Sequence, residues 1–188
     1  MNQILEDVTD ATLSKLVERW FAWRGDARFP ARKSIEPIEL GSALPFVWLC
    51  EKVPEANCYR YRLVGEAVNT LYGKGLRGRL LKDFLSQKTA HALRVRLDQC
   101  LESGNLLHTI APQTLHDKRH VLVQRLFLPI TGENGAHDTI LGCTKVTGSL
   151  LESDRYSATV HQATYDCEGV RVKVSNPVVT MFSSDLEF

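Results

Sequence analysis

The side chains able to do chemistry in this 188-residue chain are first of all its histidines and cysteines. A metal site needs two or more such ligands on one face of a local element, as an (i, i+2) or (i, i+4) spacing provides. His116 and His120 have that spacing, but Asp117 between them marks a hairpin turn, where helical (i, i+4) geometry does not hold. His108 and His137 stand apart, so the histidines read as surface and turn residues and no metal site is expected. The five cysteines, Cys50, Cys58, Cys100, Cys143 and Cys167, form neither CxxC nor CxxCH, which argues against a zinc knuckle or an attached haem. All but Cys167 sit in apolar-patterned segments, where a thiol packs as a small hydrophobe. A reducing, cytoplasmic setting fits them. No Cys–His pair has local support as a nucleophile and base. Gly73-Lys74-Gly75 lacks the continuation of a phosphate-cradling loop. These residues describe a protein that is not an enzyme and needs no cofactor.

The totals narrow the partners. With 23 basic and 22 acidic residues the net charge is +1, so there is no global attraction to nucleic acid or to an acidic membrane. Hydrophobic content of 44% and charged content of 24% are those of a globular domain. The N-terminus has no basic stretch followed by an apolar run, and so no signal peptide is read there. No run approaches the roughly 18 apolar residues of a membrane span. The best, Val121 to Ile130, is interrupted by Gln124 and Arg125.

The elements that would position any site follow from periodicity. Leu13, Leu16, Val17, Trp20 and Trp23 recur at three- and four-residue spacing, which predicts an amphipathic helix with Asp10 as its N-cap and Gly25 as its end. Its tryptophans need a surface, either the chain's own sheet or another subunit. After a proline-bearing connector and a short helix from Pro37, Phe46–Val53 and Cys58–Val64 read as strands joined by a tight turn. In the second, alternation places Tyr59, Tyr61 and Leu63 on one face. Residues 65 to 85 are glycine-punctuated turns and short helices. Gln87–Ser103 is a longer amphipathic helix with an Arg94–Asp98 (i, i+4) pair and Gly104 beyond it. Three strands follow, over Leu106–Leu115, His120–Ile130 and Thr139–Thr147. From Leu151 onward the signals are mixed; Glu168–Val174 reads as one further strand in a partly ordered tail. The predicted fold is α+β, a five-stranded antiparallel sheet flanked by helices and preceded by the amphipathic helix. It divides into an N-terminal helix and connector (1–32), the main domain (33–150) and a tail (151–188).

That element order, with Tyr59-Arg60-Tyr61-Arg62-Leu63-Val64-Gly65, Val68, Leu71, Gly73 and Gly78-Arg79-Leu80-Leu81-Lys82-Asp83 at its joints, resembles the PAS domain superfamily. More narrowly, it is similar to the single-domain PAS-like proteins common in alphaproteobacteria. Trp20 through Arg32 to Leu44-Pro45, and Leu128-Pro129-Ile130, also fit, so the resemblance spans roughly residues 10 to 150. It implies a sensory or signalling domain with no fused output module. In such folds a ligand lies between the inner sheet face and the helices. Mapped onto this chain, the pocket residues would be Tyr61, Leu63, Val68, Leu71, Tyr72, Leu93, Leu97, His108, Val123 and Phe127.

The plainer reading of these ten residues is a filled core. His91 lies in the helix that supplies the haem ligand in haem-binding relatives, but it falls beside the apolar stripe. Asn57-Cys58-Tyr59-Arg60 only superficially matches the flavin-adduct segment of light-sensing relatives, and it opens a strand rather than sitting in a helix. The resemblance also implies association through the leading helix, as a homodimer or with a signalling partner, by way of Leu16, Trp20 and Trp23. Two rivals stand beside the sensor: an interaction adaptor with a filled core, and an enzyme on a cone-like α+β scaffold. The enzyme would need a buried acid or tyrosine at the pocket mouth, and the strands hold few acids.

Overall fold

Residues 2–115, 117–150 and 161–172 are described by the computed structural model of the chain. His116 and the greater part of the segment after Leu150, including the end of the expected strand Glu168–Val174, lie outside the described residues. The chain opens with α1 (Gln3–Asp7) and α2 (Ala11–Arg24). Asp10 caps α2 as its position predicts, its carboxylate accepting from the amides of Thr12 and Leu13 at 2.9 and 3.1 Å. Pro37 starts α3 (Pro37–Leu40) in the first turn, where its missing N–H costs nothing. The strands β1 (Val47–Val53) and β2 (Cys58–Val64) form a hairpin, then come α4 (Glu66–Tyr72) and α5 (Gln87–Ser103). Helix α5 is capped by Ser86 and stopped by Gly104, whose φ of +78° suits a residue without a Cβ. The chain continues as β3 (Leu106–Thr114), β4 (His120–Ile130), β5 (Thr139–Leu150), β6 (His161–Tyr165) and β7 (Arg171–Val172).

These strands make one antiparallel sheet in the order β2-β1-β5-β4-β3-β6-β7, seven strands rather than the five expected. The addition has a physical reason. In a five-stranded sheet β3 would be an edge with a row of unpaired backbone groups, and β6 runs along it from Leu106 to Ile110. The sequence of β6 is polar and half-buried and gives little strand signal. The β6–β7 hairpin also holds the N-terminus. Tyr165 Oη donates to Asp7 at 2.7 Å, the Arg171 amide donates to Gln3 Oε1 at 2.6 Å, and the Ile4 amide donates to the Gly169 carbonyl at 3.2 Å.

Both faces of the sheet are covered. On one, Leu13, Leu16, Val17 and Trp20 of α2 and Ile4 of α1 pack on Val47, Leu49, Leu126, Leu128, Leu141 and Cys143. On the other, Val68 of α4 and Leu93, Leu97 and Cys100 of α5 pack on Trp48, Cys50, Tyr59, Tyr61, Leu107 and Phe127. The second face is called inner below. Asp98 ties α5 to the sheet edge, receiving Tyr59 Oη at 2.9 Å, Lys52 Nζ at 2.6 Å and the expected Arg94 at 2.8 Å.

One phase prediction is corrected. Leu49 pairs with Leu63 but Cys50 pairs with Tyr61, so β2 carries an extra residue at this point. A bulge of this kind breaks the two-residue alternation. Tyr59 and Tyr61 therefore face inward, whereas Leu63 packs with the α2 side.

Candidate functional site

The inner face and its helices border a small cavity that is partly open to solvent. Trp48, Tyr61, Arg125, Phe127, Thr144 and Gln113 reach it from the strands, Tyr72 from α4, Thr89 and Leu93 from α5, and Leu85 from the turn before α5. Its free volume is about 40 Å³. A water needs roughly 10–15 Å³ by this measure, so there is room for about three water-sized groups. Haem- or flavin-sized molecules do not fit it as it stands.

Aromatic rings frame the space. Trp48 meets Tyr61 and Phe127 edge-on at centroid distances of 5.6 and 5.7 Å, and Tyr72 meets Phe84 at 5.8 Å. The indole lies flat because Trp48 is paired with Gly142; a Cβ there would come within 2.0 Å of Trp48 Cζ2. Trp48 Nε1 donates to Thr144 Oγ1 at 2.9 Å, which satisfies the indole in a dry setting. Thr109, Arg125 and Thr144 stand side by side across β3, β4 and β5. Arg125 Nη2 donates to Gln113 Oε1, and both side chains are buried. Arg96 of α5 is 2% exposed. Burial, with the nearby Arg125 charge, lowers its pKa to about 10.

Of the ten pocket residues expected from sequence, Tyr61, Tyr72, Leu93 and Phe127 line the cavity. Val68 and Leu97 lie on the same side in the packed core, while Leu71 and Val123 form a separate small cluster with Leu115 and Val121. Leu63 and His108 point elsewhere. Leu63 is turned by the bulge and lines an open cleft of about 550 Å³ at the strand ends, where Arg32, Arg62 and Arg77 alternate with Glu51, Glu133 and Asp138. That cleft is larger, and its charges are mixed. His108 pairs in register with Leu126, which faces α2, and its Nε2 lies 3.4 Å from Gln124 Oε1. Burial holds its pKa below the usual histidine value.

Sequence reasoning missed Trp48, Leu85, Thr89, Gln113, Arg125 and Thr144. One of them was within reach: Arg125 lies between Val123 and Phe127 with the parity of both, and strict alternation along β4 would have found it. The residues expected to serve association, Leu16, Trp20 and Trp23, all lie on α2. Leu16 and Trp20 are buried against the chain's own sheet, and Trp20 Nε1 donates to the Pro129 carbonyl at 2.9 Å. Trp23 is half-buried and donates to Glu39 Oε2 at 2.6 Å. His91 is exposed on α5, beside Arg94. Burial raises the pKa of Cys50, and takes those of Cys100 and Cys143 up to about 12, so these thiols stay protonated at neutral pH. Among the described residues no group of three or more His, Cys, Asp or Glu side chains is arranged to hold a metal, and no helix is long and apolar enough to cross a membrane.

The profile of the PAS domain family matches residues 8–145. Similar solved structures include VqmA of Vibrio cholerae, described as a dimer in the absence of target DNA, at 16% identity and a TM-score of 0.47, covering 63% of this chain and 53% of that one. The chain thus matches about half the length of VqmA. A PAS domain of a Colwellia psychrerythraea protein aligns at 13% identity and a TM-score of 0.40, over 55% of this chain and 86% of that one. The Drosophila melanogaster Cycle PAS-B domain with bound glycerol aligns at 9% identity and a TM-score of 0.40, over 54% and 99%. These likenesses are of fold. No curated protein matches the chain.

Proposed function

The chain belongs to the PAS domain family, and on that premise we propose that it is a sensory domain whose inner cavity receives a small molecule, with binding rather than catalysis as its task. The observation that carries this reading is a small, partly open pocket walled by aromatic rings into which a few buried polar groups converge, the usual composition of a ligand site. An occupant would press on Arg125 and Phe127 of β4. The opposite face of that strand carries Leu126 and Leu128 against the N-terminal helices, and its Pro129 carbonyl receives Trp20. Occupancy on one side of the sheet would thereby bias how α2 sits on the other, and α2 would relay the change to a second copy or a signalling partner. Leu16 and Trp20 would take part by shifting their packing, with Trp23 at the rim.

A second reading has its own observation. A cavity of about 40 Å³ is close to what an ordinary packed core leaves, which favours an interaction adaptor without a ligand. Native mass spectrometry of freshly purified protein, paired with a fragment titration followed by amide chemical shifts, separates the two. The sensor predicts either an excess mass lost on denaturation or saturable shifts confined to the cavity lining. A clean apo mass with no lining residue moved by any fragment would leave the adaptor.

A further inference from the structure

The N-terminal part of the chain carries an apolar residue that its own fold leaves outside. Ile38 is 88% exposed, more than any other large hydrophobic side chain among the described residues. Its position follows from the brevity of α3, which Pro37 starts and Gly41 ends with a φ of +49°. Ile35 and Leu40 pack on the core, and Ile38 between them is left outward. It stands at a groove of about 220 Å³ between α2 and α3, lined by the buried Leu16 and Ala43 and, on the α2 side, by the exposed Lys15 and Arg19. The two walls are tied together, because Glu39 of α3 receives Arg19 Nη1 at 3.3 Å and Trp23 Nε1 at 2.6 Å. Lys15 has no ion pair among the described residues, and neither has the exposed Glu36, two positions before Ile38.

We propose that two copies of the chain associate through this groove, Ile38 of each entering the groove of the other with Glu36 set against Lys15 of the partner subunit. This inference rests on the reading of α2 as the element that relays a change to a partner, and it makes that partner a second copy. Across a two-fold axis each copy must present what the other receives. Here the turn that offers the apolar knob also offers the carboxylate that Lys15 lacks, so the surface is complementary to itself. By the measure that gives a water roughly 10–15 Å³, the groove has ample room for an isoleucine side chain. Glu18 and Glu36 are exposed on the same elements and disfavour an acidic membrane as the occupant. Because Glu39 holds α3 to α2, a shift of α2 on the sheet would move both walls and change the fit.

The test is sedimentation equilibrium of the full chain over a concentration series, with the same measurement on four variants. The wild type is expected to be a reversible dimer. Ile38→Asp should weaken it by about tenfold or more, while the chain still unfolds cooperatively, since an exposed side chain adds little to its own core. Lys15→Glu and Glu36→Lys should each weaken the dimer by setting like charges against each other. The double variant Lys15→Glu with Glu36→Lys should restore it, an outcome that damage to the fold could not produce. A dimer that Ile38→Asp leaves intact would overturn the groove and leave association to another face. So would charge variants whose losses simply add. A wild type that stays monomeric at every concentration would overturn the second copy. None of these results moves the cavity's occupancy, which native mass spectrometry reads separately, so the sensor and the dimer can fail independently.

Discussion

His108 sits on the face that α1 and α2 cover, with Gln124 as its polar neighbour and the Asp7 carboxylate as the nearby charge. Burial lowers its pKa more than the Gln124 bond and Asp7 raise it, so the folded chain binds this proton less readily than the unfolded chain, whose value is near 6.5. Above that pH neither state is protonated and burial carries no penalty. As the pH falls below it the unfolded chain takes up the proton first, and stability is lost until the folded-state pKa is reached. Urea unfolding from about pH 7.5 to about pH 5.5 should therefore show a falling free energy, at most about 1.4 kcal/mol per pH unit from this one group. In His108→Gln the slope should be reduced; an unchanged slope would place the acid sensitivity elsewhere.

At the scale of single elements, α2 shows how a local signal and a tertiary one combine. Asp10 caps the helix from its own sequence, and Lys145 of β5 closes on the same carboxylate at 2.8 Å. Burial works against the charged form, yet the Lys145 ammonium and the Leu13 and Thr12 amides outweigh it and hold the pKa low. Asp10→Ala removes cap and ion pair together and should destabilise the protein by about 1–2 kcal/mol. Asp10→Asn keeps an oxygen for the amides and should recover roughly half of that loss, as read by chemical denaturation. Equal losses in the two variants would show that the cap contributes little. The strands teach the complementary lesson. Nearly every position of β4 is buried, because helices lie on both faces, and a strand buried on both sides shows no alternation from which to read its phase. Alternation along β2 puts Leu63 on the cavity side and fails there only because of the bulge, and the β3 register turns His108 toward α2.

For the whole molecule, the N-terminal helices act as one side of a three-layer core. Trp20 is fully buried, and its indole bonds to the backbone of β4. Trp20→Ala should cost about 3–5 kcal/mol by urea unfolding, as expected for emptying a tryptophan site. Trp23→Ala should cost clearly less, since Trp23 is half-buried and bonded to Glu39 at the rim. Sizing chromatography with each variant decides the matter of association. If Trp20→Ala leaves unfolding unchanged and instead dissociates an oligomer, then α2 serves a partner before it serves its own sheet.

Periodicity, caps and breakers in the sequence determined most of the elements, down to the ends of β2, β4 and α5, because such signals act within a few residues of the chain. The order of those elements also determined the family and the sheet-and-helix architecture. Tertiary structure alone decided which face each side chain serves. The Leu49/Cys50 bulge, the pairing of Trp48 with Gly142, the polar strand β6 along an open edge and the meeting of Gln113 with Arg125 join residues far apart in sequence. A cavity is what remains when distant side chains have packed, so its walls could be named from sequence only in part.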